Sequence, residues 1–209
     1  MPESSYTALS VLLDRSGSMR AIREDAEGGL RSLIEDQRSQ PGRATLRLAQ
    51  FDSEYEVVHP SLFLDQVPMP ELRPRGTTAL LDAWGRAMTE FGEELAALPE
   101  EQRPGNVIFV VVTDGAENAS REWSREQVFD MVREQTDKWG WKFLFVAANQ
   151  DAVAEGAKYG VPASQTVTYS HDAGGTRSAF GSTSSVISRT RGGKGSAFTE
   201  AERRAAKQP

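Results

Sequence analysis

The chain has 209 residues, 38% of them apolar and 26% charged, with no cysteine and a net charge of −6 from 24 Lys and Arg against 30 Asp and Glu. That composition excludes disulfides, thiolate metal sites and cysteine nucleophiles, and it is too apolar for wholesale disorder. No apolar run exceeds six residues, whereas a bilayer-spanning helix needs about 20, so no membrane association is expected. The opening Met1-Pro2-Glu3 lacks the basic and then apolar pattern of a secretory leader, which makes the cytoplasm the expected compartment. Seven basic and two acidic residues fall after residue 175, so the preceding 175 residues carry −11. An acidic body argues against a nucleic-acid partner, because phosphate affinity comes from clustered Lys and Arg.

Residues 6–13 (YTALSVLL) form an apolar run that ends at Asp14, the pattern of a parallel strand covered on both faces. The Ser/Gly-rich turn DRSGSM leads into a helix with Ile22, Ala26, Leu30, Leu33 and Ile34 on one face, stopped by Pro41-Gly42. Residues 44–51 and 55–62 read as two strands of a hairpin around Asp52-Ser53-Glu54. Pro68, Pro70 and Pro74 constrain the next loop, after which Leu80, Trp84, Met88, Phe91 and Leu95 recur at helical spacing. The most apolar strand, residues 106–113 (NVIFVVVT), ends at Asp114. Ser124 with Gln127 is a capping box that opens a helix carrying Val128, Met131 and Val132 inward, closed by Gly140. A strand over 141–148, a short helix over 151–158, a short strand over 165–169 and a helix over 172–189 complete the alternation. Beyond Gly192-Gly193 the chain looks linker-like, with one frayed turn over 199–206. The expected organisation is therefore one domain over 1–191 and a flexible basic tail over 192–209.

Strands alternating with helices over short links predict an α/β fold: a doubly wound, Rossmann-like three-layer sandwich, with a mostly parallel central sheet and one antiparallel edge strand. Ligands of such sheets sit at the carboxyl ends of the strands, where strand order reverses. Three polar segments map to that region: Asp14, Ser16 and Ser18 after the first strand, Gly76-Thr77-Thr78 before the Leu80 helix, and Thr113-Asp114-Gly115 after the most apolar strand. Every candidate donor is an oxygen, which suits a hard cation such as Mg²⁺ or Mn²⁺ rather than zinc or copper. Gly17 lets the backbone bend between the two serines. Each segment alone reads equally well as a helix cap or a turn. Together, in this order, they point to one cation site.

The segments VLLDRSGSM, RGTTALLDA and VVVTDGAEN resemble the three elements of the von Willebrand factor type A (vWA) domain and its metal-ion-dependent adhesion site, over residues 6–190. The resemblance implies that Asp14, Ser16, Ser18, Thr78 and Asp114 hold the ion, with Ca²⁺ as a third candidate beside Mg²⁺ and Mn²⁺. The serines would ligate directly, while Thr78 and the aspartates trade between direct and water-bridged contact. A glutamate or aspartate of a protein partner would complete the shell. Within the family the chain looks most like stand-alone bacterial or phage-type proteins. Free cytosolic members serve larger assemblies, including complexes with AAA+ ATPases. The implied function is thus a metal-dependent protein-binding module in an intracellular assembly, with an AAA+ ATPase complex as a candidate partner.

The alternative is a metal-dependent hydrolase or phosphotransfer enzyme that uses the same Asp, Ser and Thr residues. No G-x-S-x-G elbow accompanies a histidine. Ser16 also stands two residues after Asp14, where aspartate-nucleophile phosphatases carry a second aspartate as general acid. With no nucleophile or general base identifiable, catalysis is not expected. Among residues outside the pattern, Arg15 and Met19 are expected exposed at the rim of the metal loop, and Asp52 in a turn. Glu117 and Asn118 suit either a rim or a capping role, and Asp82 faces the dipole of the Leu80 helix. Trp84, Trp123, Trp139 and Trp141 read as core. His59 and His171 are lone histidines with no ligand partner at metal spacing.

Overall fold

The computed structural model describes residues 3–148 and 151–208. Among them the chain alternates as the periodicity dictates: β1 (Glu3–Asp14), α1 (Arg23–Ser39), β2 (Ala44–Phe51), β3 (Tyr55–Phe63), α2 (Leu80–Ala96), β4 (Pro104–Thr113), α3 (Arg125–Trp139), β5 (Lys142–Ala148), α4 (Ala152–Lys158), β6 (Thr166–Tyr169), α5 (Ala173–Arg191) and α6 (Glu200–Ala206). The strands form one sheet in the order β3-β2-β1-β4-β5-β6. Every pairing is parallel except β2 with β3, the antiparallel edge. The fold is the expected α/β three-layer sandwich. Strand order reverses between β1 and β4, and their register sets Leu13 beside Val112. Asp14 therefore leaves the sheet level with Thr113, and Asp114 follows one residue later, so both carboxylates emerge at the switch point.

Period-two side-chain alternation sends each strand's apolar residues to both faces. Leu9, Val11 and Leu13 of β1 join Leu30 and Leu33 of α1 and Phe180, Val186 and Ile187 of α5 in one buried layer. Ala8 and Leu12 face the other layer, with Trp84, Met88 and Phe91 of α2 and Val128 and Val132 of α3. There Trp84 stacks on Phe109 and Phe145 at centroid distances of 6.5 and 5.8 Å. Burying each large apolar side chain stabilises the sandwich by about 1.5–3 kcal/mol, and the two layers together fix where the strand ends emerge. Trp139 departs from expectation. It is the last residue of α3, directly before the Gly140 cap, and lies 66% exposed at the helix end.

The segment after Gly192 also differs from the flexible tail the sequence suggests. Ala206 is fully buried and Phe198 is 5% exposed. Thr199 and Glu202 form a reciprocal capping box at the start of α6. Arg189 grips Glu202 through two hydrogen bonds of 2.7 and 2.9 Å, and Arg203 donates to the carbonyls of Thr166 (2.6 Å) and Ala163 (2.7 Å). Ser170, just past β6, donates its N–H to the Ala206 carbonyl and its hydroxyl to Lys207, both at 2.9 Å. Two of the basic residues that suggested a solvated end, Arg189 and Arg203, are instead fasteners: Arg189 holds α6 to α5 and Arg203 holds it to the backbone at the start of the short edge strand β6.

Candidate metal centre

The most apolar strands end where they meet polar turns, and those turns supply the site. Asp14, the last residue of β1, is fully buried. Its Oδ1 accepts the Ser16 N–H at 2.7 Å and its Oδ2 accepts the Thr113 hydroxyl at 2.6 Å. Burial pushes the Asp14 carboxyl up to about 6, with the neighbouring Asp114 charge adding to the rise while the Thr113 and Ser16 hydrogen bonds oppose it. Ser16 Oγ lies 3.0 Å from Ser18 Oγ, and the Ser18 hydroxyl donates to Asp114 Oδ1 at 2.7 Å. Thr78 is 3% exposed, and its N–H donates to Asn118 Oδ1 at 3.0 Å. A Cβ added at Gly115 would stand 3.0 Å from Thr78 Oγ1 and 3.7 Å from Ser18 Oγ. Glycine at 115 thus leaves open the space that these two hydroxyls border. The structure brings Asp14, Ser16, Ser18, Thr78 and Asp114 together.

The loops are tied to one another by backbone bonds. Gly17 N–H donates to Gly76 O at 3.2 Å, Arg75 N–H to Arg15 O at 2.9 Å, and Ala79 N–H to Asp52 O at 2.9 Å. Gly76 adopts φ +67°, a conformation that disfavours any side chain. Asp52 is the keystone. It is fully buried, and its Oδ2 receives Arg15 Nε at 2.9 Å and Arg75 Nε at 2.8 Å. Burial pulls the Asp52 carboxyl upward, but Arg75, the Glu54 N–H and Arg15 outweigh it and hold the group below the usual aspartate range. Arg15 also pairs with Glu56.

Arg15 and Met19 are therefore not rim residues. Arg15 is 6% exposed because its guanidinium turns inward to Asp52, and Met19 is fully buried in the layer beneath α1 and α5. Glu117 and Asn118 take the capping role. Glu117 Oε2 accepts the Leu81 N–H at 2.9 Å, satisfying the first turn of α2. Asp82 does more than face a dipole, since its carboxylate accepts the N–H groups of Arg121, Glu122 and Trp123, each at 2.8 Å. Together these contacts lock the loop after Asp114 onto α2.

One residue at the site escaped the sequence reading. His171, two residues past the end of β6, places Nε2 2.8 Å from Asp114 Oδ2. The signal that could have found it is positional: it stands just beyond a strand's carboxyl end, as Ser16, Ser18 and Asp114 do.

The donors fit a divalent cation. They are two buried carboxylates and three hydroxyls, with no Lys or Arg hydrogen-bonded to either carboxylate among the described residues. An oxygen set of this kind suits Mg²⁺ or Mn²⁺. Neither a protein-family model nor a curated protein matches the chain by sequence. Solved structures match by shape. Proximal thread matrix protein 1 from the mussel byssus superposes with a TM-score of 0.62 at 13% identity, covering 88% of this chain and 46% of that one. A von Willebrand factor type A protein from Catenulispora acidiphila gives 0.62 at 14%, covering 89% and 43%. A further structure of the mussel protein, described as having a zinc-occupied MIDAS motif, gives 0.57 at 14%, covering 89% and 45%. This chain spans less than half the length of those chains. At such identities the likeness is one of architecture, and on it the chain has the von Willebrand factor type A fold.

Proposed function

We propose that this chain is a metal-dependent protein-binding module whose Asp14, Ser16, Ser18, Thr78 and Asp114 hold Mg²⁺ or Mn²⁺. The observation that carries the reading is the convergence of two carboxylates and three hydroxyls from three loops at the strand-order reversal, with Asp14 destabilised as an anion in the absence of a cation. A bound divalent ion would supply positive charge to these carboxylates and an electrophilic point for an incoming anion. The chain's own residues are suited to that task. Each serine hydroxyl has one proton to donate and two lone pairs, so Ser18 can keep its bond to Asp114 while offering oxygen to an ion. The Asp52 clamp and the Asp82 and Glu117 caps hold the three loops at fixed spacing. Ser18 lies exposed, which leaves one side of the cluster open to a partner's aspartate or glutamate.

Binding rather than catalysis is the reading we favour, since no G-x-S-x-G elbow accompanies a histidine and the chain has no cysteine. The metal-bearing mussel structure supports the choice of a divalent ion. The carboxylate step is tested by water-proton relaxation. The metal-stripped chain is titrated with Mn²⁺, then with a glutamate-rich peptide or a glutamine-rich control. The expected result is an enhancement on adding protein to Mn²⁺ that falls with the glutamate peptide only, as a carboxylate replaces bound water. Enhancement insensitive to both peptides would overturn the carboxylate partner, and no enhancement would overturn the metal site.

A further inference from the structure

We propose that the turn between β6 and α5 is a fourth loop of the metal centre, in which His171 acts as a positioning residue that holds Asp114 for the ion. The inference rests on the metal reading above and extends it to a residue outside the five donors.

The geometry is specific. Asp114 has a fully buried side chain, and its two oxygens are held from opposite partners: Oδ1 by the Ser18 hydroxyl at 2.7 Å, Oδ2 by His171 Nε2 at 2.8 Å. A carboxylate oxygen accepts, so the imidazole presents Nε2–H. With both oxygens held, the carboxylate plane cannot rotate freely about its terminal torsion, which is otherwise broad. Partners of this kind, which orient a ligand's carboxylate, typically change metal affinity by about 10–100-fold when removed.

The turn itself is built to keep His171 in place. On its N-terminal side, Ser170 is fixed through its N–H to the Ala206 carbonyl, the last of α6, and through its hydroxyl to that of Lys207 just after it, at 2.9 Å each. On its C-terminal side, Asp172 caps α5 by accepting the Gly175 N–H at 2.8 Å. Gly175 packs so closely that an added Cβ would fall 2.3 Å from Ser170 O. A second observation points the same way. The Tyr169 hydroxyl is buried without a hydrogen-bond partner among the described residues, and the charges of Asp114 and Asp14 act on it. The end of β6 thus carries a second polar group, two residues before His171, buried within the field of the same two carboxylates. The C-terminal helix, by pinning Ser170, becomes part of the support for the site.

The test is isothermal titration of the metal-stripped full chain with Mg²⁺, Mn²⁺ and Zn²⁺, for wild type, His171→Ala and His171→Gln, with melting of each stripped protein alongside. Glutamine keeps an N–H donor close to the place of Nε2. The expected result is a Kd raised about 10–100-fold for all three ions in His171→Ala, with at least half of the lost binding energy recovered in His171→Gln and stripped melting temperatures close to wild type. Unchanged affinity in His171→Ala would overturn this inference and leave the five-residue site standing. Loss confined to Zn²⁺ would make His171 a nitrogen ligand and overturn the positioning role. Equal loss in both variants would show that the ring's shape and not its donor matters, and would overturn it too. If wild type binds none of the ions, the metal reading fails and this inference falls with it.

Discussion

Replacing Asp14 by Asn should stabilise the metal-stripped protein while abolishing its response to divalent ions. Asp14 is fully buried, and its pKa stands at about 6 against an ordinary 3.8. A displacement of about two units corresponds to a ceiling of about 3 kcal/mol of folding free energy given up at neutral pH. Asparagine is nearly isosteric and keeps the local bonds. Its carbonyl can still accept the Ser16 N–H, and its NH₂ can donate to Thr113 Oγ1, whose own hydroxyl then turns to Gly115 O, 3.0 Å away. The gain should be about 1–3 kcal/mol at pH 8, or roughly 2–12 °C in Tm for a chain of this size.

The sign of the pH dependence follows from the direction of the shift. A carboxyl whose folded-state pKa is raised destabilises the fold when ionised, so the penalty is full above about pH 6 and vanishes as pH falls towards 3.8. Differential scanning calorimetry in chelator from pH 4 to 8 should therefore show the two proteins converging at acid pH and separating at neutral pH. Added Mg²⁺ should raise only the wild type. An Asp14→Asn protein that melts at or below wild type at pH 8, or a gap that persists unchanged at pH 4, would refute the reasoning.

Asp52→Asn should destabilise the chain by about 3 kcal/mol, since it removes the carboxylate that Arg15 and Arg75 share and leaves the buried Arg15 with only the more exposed Glu56; urea unfolding checks this. Because Asp52 is held below its usual range, its contribution is present above the unfolded pKa and is lost only as pH falls through the lower folded value, so the deficit should be full at pH 7. Gly115→Ala places a methyl 3.0 Å from Thr78 Oγ1. It should weaken Mn²⁺ binding by at least about tenfold while shifting stability by no more than about 1 kcal/mol. Arg203→Ala removes the donors to Thr166 and Ala163 carbonyls. It should cost about 1–3 kcal/mol and expose the segment after Gly192 to protease before the rest of the chain.

The core and the five candidate donors were legible because each signal is local. A continuous apolar run names a strand covered on both faces, and an aspartate directly after it marks the strand's end, so Asp14 and Asp114 could be placed without knowing any distance. What stayed hidden depends on distant partners. Arg15 looks like a surface residue until Asp52, which lies 37 positions away, draws its guanidinium inward. Met19 sits in a polar loop, yet the turn of backbone after Ser18 aims it into the layer under α1. The final helix buries little beyond Phe198 and Ala206 and is fastened by side chain to backbone bonds, which leave no hydrophobic pattern. Its capping box, Thr199 with Glu202, was the one visible sign that it is a built element. His171 is only one residue in a turn; what makes it part of the site is Asp114, 57 positions earlier.

The central claim, that Asp14, Ser16, Ser18, Thr78 and Asp114 form one divalent-cation site, is tested most directly by electron paramagnetic resonance of Mn²⁺. The six-line signal of free Mn²⁺ is lost on binding, so a titration of the stripped full chain counts sites. One Mn²⁺ should bind per chain, displaced by excess Mg²⁺, and none should bind Asp14→Asn. A wild-type chain that leaves the free signal undiminished, or an Asp14→Asn chain that binds Mn²⁺ as wild type does, would contradict it.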